Sequence, residues 1–505
     1  MTERAILHID MNNFYASVEC MLNPELKPYP IAVCGDQEER HGIVLAKNYK
    51  AKAFGVSTGE AIWQAKQKCP NLIVVPPHYE QYMKFSKLAR EIYGRYTDLI
   101  EPFGMDEVWA DVTGCYPFIG KPEAIAEEIR KTITFELGLT VSIGVSFNKI
   151  FAKLGSDMKK PDAITTIPKE SFKEKIWHLP ASDMLGVGRA TEKKLSSVGI
   201  HTIGQIAQFP VDFFQRRLGK CGVDLWRFAN GLDDSKVTVR ETEAPDKSVG
   251  HGMTALQDLE NPAEVWTFIL ELCQDIGHRL YVFNKKATGI ALAIRDNELF
   301  TKQWQCGIPV ATQSPSCLAK EAFSLFMRSY NWRKPIRSLT VRAINLVSLD
   351  TPSQLDVFVD AEKLARIEAL DQTIEELRYR FGKDIIRNAC LLNNPKMSAK
   401  GNPNIIMPTG IPNEEVFLMQ QIAYRKVNVP ILLEVDADGQ KRPRKIRWKD
   451  GNAYAIDKVL KVCRAASTKV GGCGMRYTVR IDGKETYLFE KDGKWFIEEE
   501  YIKEV

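Results

Sequence analysis

No stretch of the 505 residues stays apolar for the roughly 18 positions that a membrane-spanning helix needs, so no span is expected. The N-terminus enters a strand-like pattern directly, without the segments of a secretory signal, which points to the cytoplasm. Paired cysteines are missing too. The 11 cysteines are scattered with no Cys-x-x-Cys spacing, which argues against a disulfide framework or a zinc site and for reduced, buried thiols. Strong net charge is also absent: 69 Lys+Arg stand against 64 Asp+Glu, a surplus of +5. That surplus is uneven. Residues 424–505 hold 18 Lys+Arg and 13 Asp+Glu, and the preceding 423 residues balance. A neutral body can still bind nucleic acid if its cations cluster on one face. At this length the chain holds several domains, each able to bury its own core.

Gly104-Met105-Asp106-Glu107-Val108-Trp109-Ala110-Asp111 places two adjacent carboxylates between a turn glycine and an alternating run that reads as a strand. Side chains alternate across a strand, so Asp106 and Glu107 cannot both face solvent. A carboxylate on a buried face needs a partner, and a metal ion is an adequate one. The plainer reading is a charged turn ahead of a strand. Near the N-terminus, the apolar run Ala5 to Ile9 ends at Asp10, where a cleft at the strand end suits a metal ligand. Asp10, Asp106 and Glu107 together suit a two-Mg2+ site for phosphoryl transfer, because Mg2+ takes oxygen ligands and bridges carboxylates to phosphates.

The motifs HIDMNNFYASVE (8–19), AKNYKAKAFGV (46–56), GMDEVWAD (104–111), VSIGVSFNKIFAKLGSDMKKP (141–161), LGVGRATEKKLSSVGI (185–200) and KSVGHGMT (247–254) stand in the order and spacing of a known family. The chain resembles the Y-family (lesion-bypass) DNA polymerases over residues 1–395. Asn12 and Lys52 look more like the polymerase V branch than polymerase IV. The resemblance implies an α/β (α+β) multidomain fold shaped as a right hand. Its palm covers 1–12 and 78–165, its fingers 13–77, its helical thumb 166–235 and its little finger 247–350, with a linker over 236–246. It further implies that Asp10, Asp106, Glu107 and the Met11 backbone carbonyl hold two Mg2+ ions. Tyr49, Lys52 and Lys160 would contact the incoming triphosphate. Tyr15 would be the steric gate whose ring clashes with a 2'-hydroxyl, the chemical handle that separates ribose from deoxyribose, and Phe14 would be core. Many relatives carry Arg at the Lys52 position, and Lys cannot make Arg's bidentate fork. Where the family commonly has Ser, two residues before Asp106, this chain has Gly104.

The thumb segment carries a helix-hairpin-helix pattern, in which Gly186 and Gly188 let backbone N–H groups approach a DNA phosphate at a helix N-terminus. Such a contact is independent of sequence and sensitive to salt; a simple helix turn is the alternative. In the little finger, Lys247, Ser248 and Arg342 match backbone-contact positions. Residues 351–392 hold Gln354-Leu355-Asp356-Val357-Phe358 and an amphipathic helix over 361–380. The pentapeptide resembles the motif by which bacterial polymerases bind the sliding clamp, with Leu355, Val357 and Phe358 entering an apolar pocket and Gln354 at its rim. An edge strand of the little finger is the rival reading.

Residues 393–423 lack periodicity and read as a linker. The resemblance does not reach 424–505, which read as a small, mainly β domain with Asp-Gly turns and one helix over 457–465. Its strip Lys441 to Lys449 mixes cations with Trp448, as single-strand binders do; a solvated edge strand with gatekeeper charges fits equally.

The expectation is therefore a template-directed, error-prone translesion DNA polymerase, acting as a monomer on primer-template DNA and deoxynucleoside triphosphates. No second acidic constellation suggests a proofreading site. A catalytically inactive polymerase-like recruitment subunit is the first rival, and it would be favoured by loss of a carboxylate. A two-metal nucleotidyl cyclase is the second, disfavoured by the helix-hairpin-helix and the clamp-like peptide.

Overall fold

The structure is a computed structural model that describes residues 4–502 apart from 39, 41, 116–118, 239–246, 353–359, 383–384, 393, 398–421, 436–440, 449–451, 467–472, 482–483 and 492. It divides into two compact units: Met1–Cys34, Val44–Thr242 and Met407–Val505 form one, and Gly35–Ile43 with Glu243–Ile406 form the other.

The first unit is built on β1 (Ile6–Met11), whose six residues are all buried. Burial on both faces explains why this strand is a nearly continuous apolar run instead of an alternating one. Helix α1 (Phe14–Leu22) follows. The short strands β2 (Ile31–Cys34) and β3 (Val44–Lys47), helices α2 (Tyr49–Ala53) and α3 (Ile62–Lys68), and strand β4 (Ile73–Val75) form a separate layer, with sheet order β3-β2-β4. It has its own core of Ala32, Cys34, Val44, Ala51, Val56, Ile62, Ala65, Cys69 and Leu72. Helix α4 (Tyr79–Tyr93) returns the chain to the main sheet. There lie β5 (Ile100–Pro102), β6 (Glu107–Asp111), α5 (Pro122–Leu137), β7 (Val141–Ser146), α6 (Lys149–Met158) and β8 (Ile164–Ile167), and the sheet order is β5-β6-β1-β7-β8. Asn148 starts α6 by accepting from the Phe151 N–H, and Pro122 opens α5 where a missing N–H costs nothing.

Five short helices follow: α7 (Phe172–Ile176), α8 (Arg189–Ser196), α9 (Ile203–Gln208), α10 (Val211–Leu218) and α11 (Lys220–Ala229). They share a core with Ile150, Phe151 and Leu154 of α6. The first residues of the expected linker are packed chain: Val237 is buried with Ile6, Trp109 and Ala152, and the Thr238 N–H donates to Glu101 Oε2 at 3.0 Å.

In the second unit, β9 (Ser248–Leu259), β10 (Lys285–Asp296), β11 (Thr301–Thr312) and β12 (Ile336–Ser348) form an antiparallel sheet of order β11-β10-β12-β9. Helices α12 (Pro262–Val282) and α13 (Pro315–Ser329) share its core. The expected amphipathic helix is present as α14 (Ala361–Phe381). It docks through polar groups: Asp371 accepts from Ser316 Oγ at 3.1 Å, and Glu375 Oε2 lies 2.7 Å from His278 Nδ1.

The C-terminal segment contains β13 (Ile422–Asn428), β14 (Ile431–Val435), β15 (Lys441–Arg447), β16 (Ala453–Ala455), β17 (Lys458–Ala466), β18 (Cys473–Ile481), β19 (Lys484–Lys491) and β20 (Lys494–Ile502). Sheets of order β13-β20-β19-β18-β17 and β14-β15-β16 share one core around Val429, Ile446, Val479 and Trp495. The helix expected over 457–465 is instead strand β17, paired antiparallel to β18 from Lys458↔Arg480 to Ala466↔Cys473. Pairing with β18 along one edge, interrupted by a register shift between Val459 and Lys461, overrides the local helical spacing.

Candidate active site

Two strand ends and one helix build the site. In the β1–β6 ladder Asp10 lies opposite Glu107, and in the β1–β7 ladder it lies opposite Ser142. The turn before β6 is clamped from α4: Arg90 Nη2 donates to the Gly104 carbonyl at 2.9 Å and Ser86 Oγ donates to the Met105 carbonyl. Gly104 has φ +89, a conformation that the commoner serine would adopt only under strain. The Met11 N–H then donates to the Asp106 carbonyl at 3.0 Å, which fixes Asp106 beside the end of β1.

Asp10 is buried, and burial lifts its carboxyl to about 6 although Lys160 Nζ sits 2.7 Å away and opposes the shift. Asp106 is lifted to about 6 by burial first and by the charge of Asp10 second. Glu107 behaves oppositely. Burial would raise it, but the His8 ring and the Lys153 ammonium outweigh that and push it down to about 2. Lys153 Nζ donates to Glu107 Oε2, and His8 Nε2 stands 3.3 Å from the same oxygen without hydrogen-bond geometry. His8 is fully buried, its Nδ1 2.8 Å from Ser156 Oγ, and burial lowers its pKa.

Sequence reasoning did not find this ion-pair chain. It runs from Glu107 to Lys153, from Lys153 to Asp157 at 3.7 Å, from Asp157 to Lys160 at 2.8 Å, and from Lys160 to Asp10. Three of its members share one face of α6 and its exit, at the i, i+4, i+7 spacing that was visible in the sequence. Asn12 fixes the loop that carries Lys160. Its Nδ2 donates to Ser142 Oγ at 2.9 Å and its Oδ1 accepts from the Asp162 N–H at 2.9 Å.

Among the described residues, no three His, Cys, Asp or Glu side chains gather closely enough to hold a metal by themselves. The expected trio is therefore not a preformed cage, because Glu107 is held by Lys153. The donor set still fits a hard divalent cation. Asp10 and Asp106 are desolvated carboxylates, the charge of Asp10 helps to raise Asp106, and apart from the Lys160 ammonium no cation is bonded to either among the described contacts.

The remaining expected residues are distributed as follows. Phe14 is buried in the main core, and Tyr15 is half-buried with its ring stacked on Tyr82 at 4.2 Å and its hydroxyl 3.6 Å from Met105 Sδ. Tyr49 begins α2, and its pKa is raised by burial, with Lys160 and Asp10 near enough to be felt. Lys52 Nζ lies 5.7 Å from the Tyr49 ring centroid. Gly186 has φ +94 and Gly188 caps the start of α8. Lys247, Ser248 and Arg342 are exposed, and Arg342 pairs with Gly250 across the β9–β12 ladder, on the same face as Ser248. Gln354, Leu355, Val357 and Phe358 lie outside the described residues.

A strand-end carboxylate pair on a five-stranded sheet, followed along the chain by a five-helix segment and then by a sheet-and-helix unit, has close counterparts among known proteins. Residues 9–157 match the impB/mucB/samB family, residues 246–357 its C-terminal domain, and residues 182–233 the thumb domain of DNA polymerase iota. The DNA polymerase IV of Acetivibrio thermocellus is 49% identical over 392 residues, which cover 78% of this chain and 98% of that protein. The chain belongs to the Y-family of translesion DNA polymerases. DNA polymerase IV 1 of Bacillus subtilis is 37% identical over 401 residues, covering 79% of this chain and 95% of that protein. These relatives carry the polymerase IV name, which weighs against the polymerase V leaning read from Asn12 and Lys52. A solved Y-family DNA polymerase chimera superposes with a TM-score of 0.61 over 68% of this chain and 99% of its own, at 23% identity, and shares the fold. The family matches end at residue 357, short of the C-terminal β segment. Among the described residues no helix is long and apolar enough to cross a membrane.

Proposed function

We propose that Asp10, Asp106 and Glu107 are the catalytic carboxylates of this DNA-directed DNA polymerase. Primer-template DNA and deoxynucleoside triphosphates are its substrates, and a divalent metal ion is its cofactor, which we assign as a pair of Mg2+ ions. The observation that carries this reading is the opposed state of the carboxylates. Asp10 and Asp106 are desolvated carboxylates at adjoining strand ends whose remaining protons a cation would displace to solvent, while Glu107 is kept ionised by Lys153. When bound, the metals supply Lewis acidity to the primer 3'-oxygen and the leaving pyrophosphate.

The chain's own residues do the positioning. Lys160, bonded here to Asp10, would contact the triphosphate once that carboxylate held a cation. Tyr49 and Lys52 flank the same phosphates from α2. The Tyr15 ring, backed by Tyr82, forms a rigid floor under the sugar. Gly186, Gly188, Lys247, Ser248 and Arg342 hold the DNA backbone through contacts that read no sequence. The Gln354–Phe358 peptide docks on a bacterial sliding clamp, and the enzyme works as a cytoplasmic monomer.

Asp106→Ala with Glu107→Ala tests the assignment. Primer extension in Mg2+ should disappear while primer-template binding stays within a few-fold of wild type. Normal extension by this variant would refute the carboxylate assignment.

A further inference from the structure

Strand β15 reads Lys441-Arg442-Pro443-Arg444-Lys445-Ile446-Arg447. Strict alternation cannot bury both Pro443 and Ile446, which are three residues apart. The structure resolves the conflict with a register shift in the β14–β15 ladder: Leu432 pairs with Lys445, and Leu433 pairs with Pro443. The extra residue is Arg444. A bulge lets two consecutive side chains face the same way, so Arg444 and Lys445 are both exposed, in line with Arg442 and Arg447. Pro443 and Ile446 point inward, and Ile446 joins the shared core. Trp448 joins that core from its rim as well, so it is not a stacking platform among the cations.

The neighbours leave this face open. Lys445 and Arg447 lie across from Ala455 and Ala453 of β16, whose methyl groups cannot cover them. Leu432, 61% exposed, borders the strip on β14. Among the described residues, Glu434 accepts from Arg444 Nε at 2.6 Å, and Lys441 reaches Glu490 at 3.2 Å. Among the described residues Lys445 and Arg447 have no ion-pair partner. The strand is about 20 Å long. A nucleic-acid strand in a duplex carries one phosphate per about 3.4 Å of axis, so a polyanion can engage every cation of the strip at once.

We propose that the outer face of β14-β15-β16 is a second nucleic-acid contact. It grips the phosphodiester backbone through Arg442, Arg444, Lys445 and Arg447. The site lies in the segment beyond the family matches and holds whatever the role of the palm carboxylates. With no exposed aromatic in the strip, it tracks charge and not bases, so single-stranded and duplex DNA both bind it.

The test uses the full chain carrying Arg442→Gln, Arg444→Gln, Lys445→Gln and Arg447→Gln. Anisotropy titrations with a single-stranded oligonucleotide and with a blunt duplex are run across a salt series. Loss of about four phosphate contacts should make the log–log salt slope shallower by about 3 on both DNAs, and the affinity deficit of the variant should shrink by roughly sixty-fold between 50 and 200 mM salt. Primer extension on a saturating short template should keep its wild-type rate, which separates this site from the catalytic one. Glu434→Gln is the opposite perturbation: by releasing Arg444 it should steepen the slope and tighten binding at low salt. Unchanged slopes on both DNAs overturn the proposal. So does a variant that loses binding to polyaspartate but not to DNA, which would make the strip a dock for an acidic protein. If the fourfold variant fails to fold, an unchanged slope for Glu434→Gln overturns the proposal by itself.

Discussion

Gly144 sits in the middle of β7, where α6 crosses the sheet. A Cβ at this position would stand 1.8 Å from the Ala152 carbonyl oxygen and 2.6 Å from the Ser156 nitrogen. Both are helix backbone atoms that cannot rotate aside. The helix side is pared down too, since a Cβ on Gly155 would lie 3.2 Å from the Gly144 Cα. Glycine in a strand interior here marks the close approach of another backbone. In Gly144→Ala, α6 must retreat by roughly 1.5 Å to reach ordinary contact distance. The 2.8 Å His8–Ser156 contact and the 2.7 Å Lys160–Asp10 contact then stretch past hydrogen-bond range.

Two costs add. Overpacking a well-filled site costs about 1–3 kcal/mol, and leaving the buried His8 nitrogen unpartnered costs about 1–3 kcal/mol more. A total of about 2–6 kcal/mol should lower the urea midpoint visibly. The same retreat misplaces Lys153 and Lys160 by about 1 Å or more, and a shift of that size can cost on the order of 100-fold in rate. Urea unfolding followed by circular dichroism measures the first effect, and single-turnover nucleotide insertion in Mg2+ measures the second. Gly155→Ala, with its milder 3.2 Å contacts, should show both effects at smaller size. Wild-type midpoint and insertion rate in Gly144→Ala would refute the claim that the glycine pair seats the helix and, through it, the ion-pair chain.

Tyr15→Ala should raise ribonucleotide insertion relative to the deoxy counterpart, measured on one template; an unchanged ratio would make Tyr15 only a packing partner of Tyr82. Leu355→Ala with Phe358→Ala removes two apolar anchors, each commonly carrying more than about 1 kcal/mol. It should abolish stimulation by a bacterial sliding clamp on long templates and leave distributive extension on short ones intact. Glu375, where burial would raise the pKa but His278 and Arg378 prevail and lower it, stabilises the fold above its unfolded pKa of about 4.3. That contribution is lost as pH falls further, through the depressed folded value. Thermal melts from pH 7 to 3 should therefore fall more steeply below about pH 4 for wild type than for Glu375→Gln, and parallel curves would contradict the assignment.

What the sequence made legible follows from the range of the forces involved. Strand β1 is set by a local burial pattern, and it stands where the apolar run ending at Asp10 predicts. Residues 458–466 misled because Val459, Leu460, Val462 and Cys463 fit helical spacing as well as a strand, and only pairing with β18 decides between them. Trp448 misled for a related reason. Read as part of an unbroken strand it lines up with cations, but the bulge shifts the phase, so Arg447 stays exposed and Trp448 turns toward the core.

The site divides along the same line. Each carboxylate was visible because its strand context is local. Its electrostatic state was not, because the partners that set that state come from far along the chain: Lys153 reaches Glu107 across 46 residues and Lys160 reaches Asp10 across 150. The consequence is functional. Asp10, Asp106 and Glu107 are the same chemical type at one sheet edge, yet two are held near 6 and one near 2. A cation arriving at Asp10 and Asp106 competes with protons and with Lys160, whereas Glu107 offers a fixed negative charge throughout. If Lys160 is displaced from Asp10, its ammonium still lies 2.8 Å from Asp157 and close enough to Tyr49 to lower that hydroxyl's pKa against burial. The proposed roles of Asp10 as metal ligand and Lys160 as phosphate contact therefore meet in one ion pair, and the α6 face that carries Lys153 and Asp157 ties that pair to the packing of Gly144 against the helix.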